Sequence, residues 1–540
     1  MYLCRLKIKL RDMKYTKCLL FIGLITLCAC GNKRELNTKV SNTTGWNYFD
    51  TKTNNFQAAE GLSTAPIGMI PIQGGVFTIG ETDEFVTAPR NNAHRTITVS
   101  SFYMDKYEIS NLNWREYYHW MESVFGQVAP ELVKKAAPDQ RVWQDDLAYN
   151  EPYIQNYFES TMFSFYPVVG VSWEQAVRYC QWRTDRVNEM LLIKAGLLAY
   201  PDFASLDPIY DEVAKDEWEA EQGYWMDPVE VKNDIRSTEG QSMYRPNYEF
   251  IRDKFVFNTE KYLLDKTYTP AGGRKALYDA NGDERKVNVA DGIMVIDYRL
   301  PTEAEWEFAA YAPVAGEDGL TIEGKIYPWS GYHPRDLGKG AKGMMQANFT
   351  RGRGDLMGVS GAANDGYVTT APVDAYEPND FGLYNMAGNV NEWVLDVYRE
   401  TSNQEVTEYN SFRGNVFTQP LIEYGHIIID SMGCVMHEMV INGDKRSVRD
   451  GELAYAIKTD YPLNPKEDVT NGQPVKKDPT DILAPNITET TRVYKGGAWN
   501  DRIYWLNPST RRYLDQTKSS NAIGFRCAMS ALGDQIKATN

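Results

Sequence analysis

Arg299-Leu300-Pro301-Thr302-Glu303-Ala304-Glu305-Trp306-Glu307 is the stretch from which the rest of the chain becomes readable. Thr302 followed three residues on by Glu305 is a capping box, in which a hydroxyl and a carboxylate satisfy the first free N–H groups of a helix. Trp306, Ala309 and Ala310 then fall on one face of that helix. The same device precedes two other apolar stripes. Asn113-x-x-Glu116 comes before Trp114, Tyr117, Tyr118 and Met121, and Ser172-x-x-Gln175 before Ala176, Tyr179 and Cys180. These stripes read most simply as core. Upstream, Ile72-Gln73-Gly74-Gly75-Val76-Phe77-Thr78-Ile79-Gly80 alternates like a half-buried strand entered through a glycine turn. A second strand is expected at Arg95 to Val99, continued by Phe102 to Met104.

Composition sets the class. With 540 residues, 43% hydrophobic and 24% charged, the chain can bury one large core or two ordinary ones. Its net charge is −16. Without the six bases and single acid of the first 29 residues, 51 bases face 72 acids, a balance of −21. Such a body repels nucleic acid and anionic membrane surfaces. Calcium is a more natural companion.

The N-terminus reads as a processing signal. A basic stretch ends at Lys17 and an apolar run follows from Cys18 to Leu27, ahead of Leu27-Cys28-Ala29-Cys30 and the polar Gly31-Asn32-Lys33. The run is too short for a bilayer, which takes about 20 residues, and suits a signal peptide over 1–29. The four residues ending at Cys30 resemble the bacterial lipobox, which implies lipidation of Cys30; an ordinary signal peptide is the alternative. No later segment reaches eighteen apolar residues. Residues 30–65 are expected to be a tether, part of which docks because Trp46, Tyr48 and Phe49 are costly to leave in water.

Six segments, in order, resemble the formylglycine-generating, sulfatase-modifying family. They are Gly74-Gly75-x-Phe77-x-Ile79-Gly80, Pro167-Val168-x-Gly170-Val171-Ser172-Trp173 with Tyr179-Cys180-x-Trp182, the opening Arg299–Glu307 stretch, Gly382-Leu383-Tyr384-Asn385-Met386-x-Gly388-Asn389-Val390-x-Glu392-Trp393, Lys495-Gly496-Gly497-Ala498-Trp499, and Ile523-Gly524-Phe525-Arg526-Cys527. The resemblance implies an irregular α/β (α+β) domain over 66–535, related to C-type lectins, with insertions at about 186–297 and 399–491. It also implies structural calcium. Asn385, the Gly388 and Val390 carbonyls and Glu392 match one site of the family; Asn348, the Phe349 carbonyl, Asp365 and the Tyr367 carbonyl match the other. Hard oxygen donors suit that ion. Asn385 and Glu392 equally suit capping of loops. Asp279-Ala280-Asn281-Gly282-Asp283 lacks the EF-hand glycine and glutamate and reads instead as a hairpin turn.

The family's chemistry is where the resemblance breaks. Its active members use two cysteines, five residues apart, to hold copper; counting from Gly496-Gly497 puts Asp501 and Leu506 there. A carboxylate and an alkyl group cannot supply thiolates, so neither copper nor the oxidase reaction is expected. The histidines, His94, His119, His333, His426 and His437, show no metal spacing. Four cysteines remain after processing. Cys180 and Cys527 occupy positions resembling a family disulfide, with two buried thiols as the alternative, and Cys434 is left unpaired.

Both insertions are rich in aromatics, Met and Asp, including Tyr224-Trp225-Met226 and Tyr244 to Phe250, as protein interfaces are. A lipobox, a disabled catalytic pair and long insertions together resemble the gliding-motility lipoproteins of Bacteroidota, the GldJ and GldK (PorK) type, with Thr44-Gly45-Trp46 and the length nearer the former. That resemblance implies an outer-membrane lipoprotein facing the periplasm, a structural part of the gliding and type IX secretion machinery whose partners are ring components of GldK/GldN type. The other reading is an oxygenase or carbohydrate-binding protein reusing the cleft near Asp501.

Overall fold

The computed structural model describes residues 39–48, 66–81, 92, 94–199, 256–265, most of 277–398, 418–428, 435–439 and 490–531, with short gaps. The leader with Cys30, Phe49, Cys434 and the aromatic runs at 224–226 and 244–250 lie outside the described residues.

The strands in chain order are β1 (Met69–Ile72), β2 (Gly75–Ile79), β3 (Arg95–Val99), β4 (Phe102–Asp105), β5 (Leu277–Tyr278), β6 (Glu284–Arg285), β7 (Asn391–Val397), β8 (Thr418–Pro420), β9 (Ile422–Glu423), β10 (His426–Ile427), β11 (His437–Met439), β12 (Thr491–Lys495), β13 (Arg512–Asp515), β14 (Ile523–Gly524) and β15 (Ala528–Ser530). The helices are α1 (Asn111–Phe125), α2 (Pro130–Ala136), α3 (Glu151–Asn156), α4 (Trp173–Lys194), α5 (Thr259–Leu264) and α6 (Glu303–Tyr311). Helices and sheets are thus mixed in one α/β fold, as expected.

The single strand expected at 72–80 is two. A Cβ on Gly74 would lie 2.2 Å from the Val99 carbonyl oxygen, so only glycine lets the chain cross there and change sheets. β2 pairs with β3, Phe77 opposite Ile97. β4 does not continue β3; it lies between β1 and β15 in a separate three-stranded sheet. A third sheet, in the order β13-β12-β7-β14, has β7 in its interior, and that strand is buried at six of seven positions because it is covered on both faces. β5 and β6 form the hairpin expected around 279–283.

Two of the three capping boxes form as read. Ser172 Oγ accepts from Gln175 N (3.2 Å) and Thr302 Oγ1 from Glu305 N (3.2 Å), each glutamine or glutamate answering the cap N–H. The first box sits one turn earlier: Ser110 caps α1 and Asn113 is its third helical residue. Glu116 is instead a buried side chain that accepts from Thr44 Oγ1.

Two aromatic cores result. In one, Trp114 of α1 stacks on Tyr179 of α4 at 5.4 Å, with Trp182, Trp393 and Phe525 around them. In the other, Phe308 of α6 meets Phe77 edge-on at 5.1 Å. Buried ion pairs tie the elements together. Arg183 of α4 gives Asp105 of β4 two bonds, 2.7 and 2.9 Å, and Asp105 also accepts from Cys527 N. A buried charge is tolerated when it is paired and hydrogen-bonded in this way.

Residues 39–48 pack against α1 and α4. Trp46 is 1% exposed, its indole N–H donates to Arg186 O (2.9 Å), and the Arg186 guanidinium lies 4.1 Å from the ring centroid. Asn113 Nδ2 donates to Asn42 Oδ1 and Tyr48 Oη, both 2.8 Å, and Arg183 Nε to Thr43 O (3.0 Å).

Candidate functional site

The 385–392 stretch folds as a run of left-handed turns. Asn385, Gly388 and Asn389 have φ of 52°, 78° and 64°, a region that asparagine and glycine tolerate best. A Cβ on Gly388 would sit 2.4 Å from the Asn348 carbonyl oxygen. That close approach, with Asn389 N donating to Asn348 O (2.9 Å), brings the two expected calcium sets side by side.

In the set around Asn348, Phe349 and Tyr367 turn their backbone N–H groups to the Asp365 carboxylate. Asp365 accepts from Phe349 N and Tyr367 N, both 3.2 Å, and Asn348 spends its amide on Thr369 O (2.8 Å) and on Asn389 Oδ1. Burial raises the Asp365 carboxyl, against the pull of those backbone N–H groups. Asp365 has no ion-pair partner among the described residues, and a carboxylate left so is a donor that calcium takes.

The other set fits less simply. Both oxygens of Glu392 are occupied: Arg526 Nη2 reaches Oε1 at 2.6 Å, while Arg526 Nε and Trp306 Nε1 reach Oε2 at 2.7 and 2.8 Å. The carboxylate there already has its cation. The one with capacity to spare is Glu108, a residue the sequence did not single out. Its Oε2 accepts from Asn385 Nδ2 (3.0 Å) and Asn389 Nδ2 (2.7 Å), while its Oε1 is buried with no hydrogen-bond partner. Burial first, then the charge of Glu392, push Glu108 up to about 8. Such an orphaned oxygen calls for a proton or a cation. Nothing in the local sequence marks Glu108; only the fold delivers it to Asn385 and Asn389. Among the described residues no three His, Cys, Asp or Glu side chains converge as a metal cage. Any ion here relies on amide and main-chain oxygens.

Asp501 and Leu506 are both structural. Asp501 takes a bidentate pair from Arg512, Nη1 to Oδ1 at 2.8 Å and Nη2 to Oδ2, and Oδ2 also accepts from Ala498 N (2.9 Å) and Asn391 Nδ2 (3.2 Å). A carboxylate so saturated and neutralised is a poor general base. Arg512 is the residue that sequence reading missed. Leu506 is fully buried with Tyr327, Met345, Ala347, Phe349 and Ala387. Cys180 and Cys527 are brought together as two buried thiols, sulfurs 3.4 Å apart. Of the histidines, His119 lies near Glu122, His333 gives its carbonyl to Trp329, and His437 Nε2 meets Glu260 Oε1 at 2.8 Å.

The model of the sulfatase-modifying factor enzyme 1-like domain matches residues 55–531. The chain is 24% identical over 391 residues to the formylglycine-generating enzyme of Mus musculus, covering 68% of each. It is 38% identical over 103 residues to the inactive C-alpha-formylglycine-generating enzyme 2 of Bos taurus, 19% of this chain and 27% of that one. Among solved structures it is similar to PvdO from Pseudomonas aeruginosa, at 15% identity and a TM-score of 0.35, covering 86% of this chain and 94% of the other.

Proposed function

Given that the chain belongs to the sulfatase-modifying factor enzyme 1-like family, we propose that it is a non-catalytic member. In this reading it is an exported lipoprotein, anchored through Cys30 in the outer membrane and facing the periplasm, that serves as a structural component of the gliding-motility and type IX secretion machinery. The observation that carries the non-catalytic part is the use made of the cysteine positions. One holds a carboxylate locked to Arg512, the other an alkyl group sealed in a core. The same saturation leaves Asp501 little to offer an oxygenase or carbohydrate site. An inactive relative on the same fold family supports the reading. Calcium then has a bracing role, at Asp365 with Asn348, Phe349 and Tyr367, and beside Asn385, Gly388 and Val390 with Glu108 rather than Glu392 supplying the charge.

The scaffold part rests on the insertions. Tyr398 N donates to Thr491 O (2.8 Å), so the second insertion leaves and rejoins antiparallel neighbours β7 and β12 at one point. Replacing 399–490 by a two-residue Asn-Gly turn should therefore preserve the sheet. The expected result is a folded protein that no longer co-purifies with secretion and motility components. Retained partners and function in that variant, or conversion of a cysteine peptide to an aldehyde by the purified wild type, would overturn the proposal.

A further inference from the structure

A cavity of about 280 Å³ opens between α4, α5 and the segment around β11, where both insertions meet the core. It is nearly twice the roughly 150 Å³ of an engineered apolar cavity that takes benzene. Val177, Leu300 and Leu395 are among its apolar lining residues, and Asp185, Glu260 and Asp297 line it as well. His437 answers Glu260 at 2.8 Å, and Arg299 is held by Glu305 at 2.7 Å. Arg186, whose charge also reaches Asp185, is bonded to Glu189. Asp185 and Asp297 make no ion pair among the described residues; Asp185 Oδ1 accepts only from the Thr259 backbone and side chain, and the two carboxylates repel. Surrounding protein atoms raise the Asp185 and Asp297 carboxyls, although Asp297 keeps one side to solvent.

We propose that this cavity binds an organic cation on an alkyl stem, an ammonium or guanidinium whose methylenes lie along the apolar lining at Val177 and Leu395 and whose head reaches Asp185 and Asp297. A lining that mixes alkyl groups with carboxylates suits a long basic side chain, which buries its stem and keeps its charge among polar groups. A bare metal ion fits worse, because among the described residues no three His, Cys, Asp or Glu side chains gather as a metal cage. The site is independent of the scaffold reading: it holds for a free amine and for a lysine or arginine of a partner protein.

Calorimetric titration of the full-length protein distinguishes these sources. The probes are 1,5-diaminopentane, Nα-acetyl-lysine methylamide, and the uncharged Nα-acetyl-norleucine methylamide. Saturable binding of either cation is expected, with the norleucine compound at least tenfold weaker. Binding of the lysine compound alone assigns the site to a protein side chain; binding of both assigns it to free amines as well. Asp297→Asn, at a solvent-exposed position, should weaken the cation at least tenfold with the protein's melting temperature unchanged, and Asp185→Asn should weaken it likewise. No saturable uptake of either cation, equal affinity for the norleucine compound, or undiminished affinity in Asp297→Asn would overturn the assignment.

Discussion

Trp46→Ala should release residues 39–48 from the body without unfolding it. Trp46 is 1% exposed, makes one indole hydrogen bond to Arg186 O at 2.9 Å, and carries the Arg186 guanidinium at 4.1 Å from its ring. Truncating such a ring costs roughly 3–5 kcal/mol. Other holds on the segment include bonds from Asn113 and Arg183 and the contact of Thr44 with Glu116. Each of these contributes about 1–2 kcal/mol net. The open population should then rise by about two to three and a half powers of ten, since every 1.4 kcal/mol is tenfold. Native-state hydrogen exchange reads this directly, as faster exchange of Ser41, Gly45, Trp46 and Tyr48 amides while those of α4 stay protected. The pH dependence has a definite sign. Burial raises Glu116 to about 7, against Arg186 and Arg183, which favour its charged form. A raised folded pKa means stability present at low pH and lost as pH climbs from about 4.3, the ordinary glutamate value, through about 7. Docking should therefore tighten from pH 8 to pH 5. Unchanged exchange at 41–48 in Trp46→Ala, or tighter docking at alkaline pH, would refute the reasoning.

Asp501→Ala should lower stability by roughly 1–3 kcal/mol by removing the carboxylate partner of a half-buried Arg512, seen as a lower denaturant midpoint, while Asp501→Asn should cost less. Chelator should lower the melting temperature of the wild type, and Asp365→Asn together with Glu108→Gln should abolish the difference. Identical melting with and without chelator in the wild type would remove calcium from the account. Oxidising the Cys180–Cys527 pair joins residues 347 positions apart and should stabilise by roughly 6 kcal/mol in the entropic model, checked by denaturation with and without reductant.

Local rules carried far in this chain. The boxes at Ser172 and Thr302 needed only three-residue spacing and an apolar stripe, and both formed. The first box slipped by a turn because Ser110-x-x-Asn113 satisfies the same chemistry as Asn113-x-x-Glu116, and periodicity cannot choose between them. The strand at 72–80 read as continuous because its alternation is unbroken; the cut at Gly74 comes from Val99, a contact with no sequence signal. The site behaved likewise. Asn385 and Glu392 were visible in motifs, yet the partners that decide their chemistry, Glu108 and Arg526, come from distant segments. Glu108 and Asn389 are 281 positions apart. Only three-dimensional proximity shows which carboxylate is already spent.

The handshake between Tyr398 and Thr491 has a thermodynamic corollary. Lengthening a closed loop costs only about 0.6 kcal/mol per doubling. Going from a four-residue turn to the roughly 90 residues that follow Tyr398 is between four and five doublings, or about 3 kcal/mol, even were the added chain to gain nothing by folding. The sheet can therefore host passengers of almost any size or composition at that doorway, which makes it a natural position for grafting foreign epitopes or reporters.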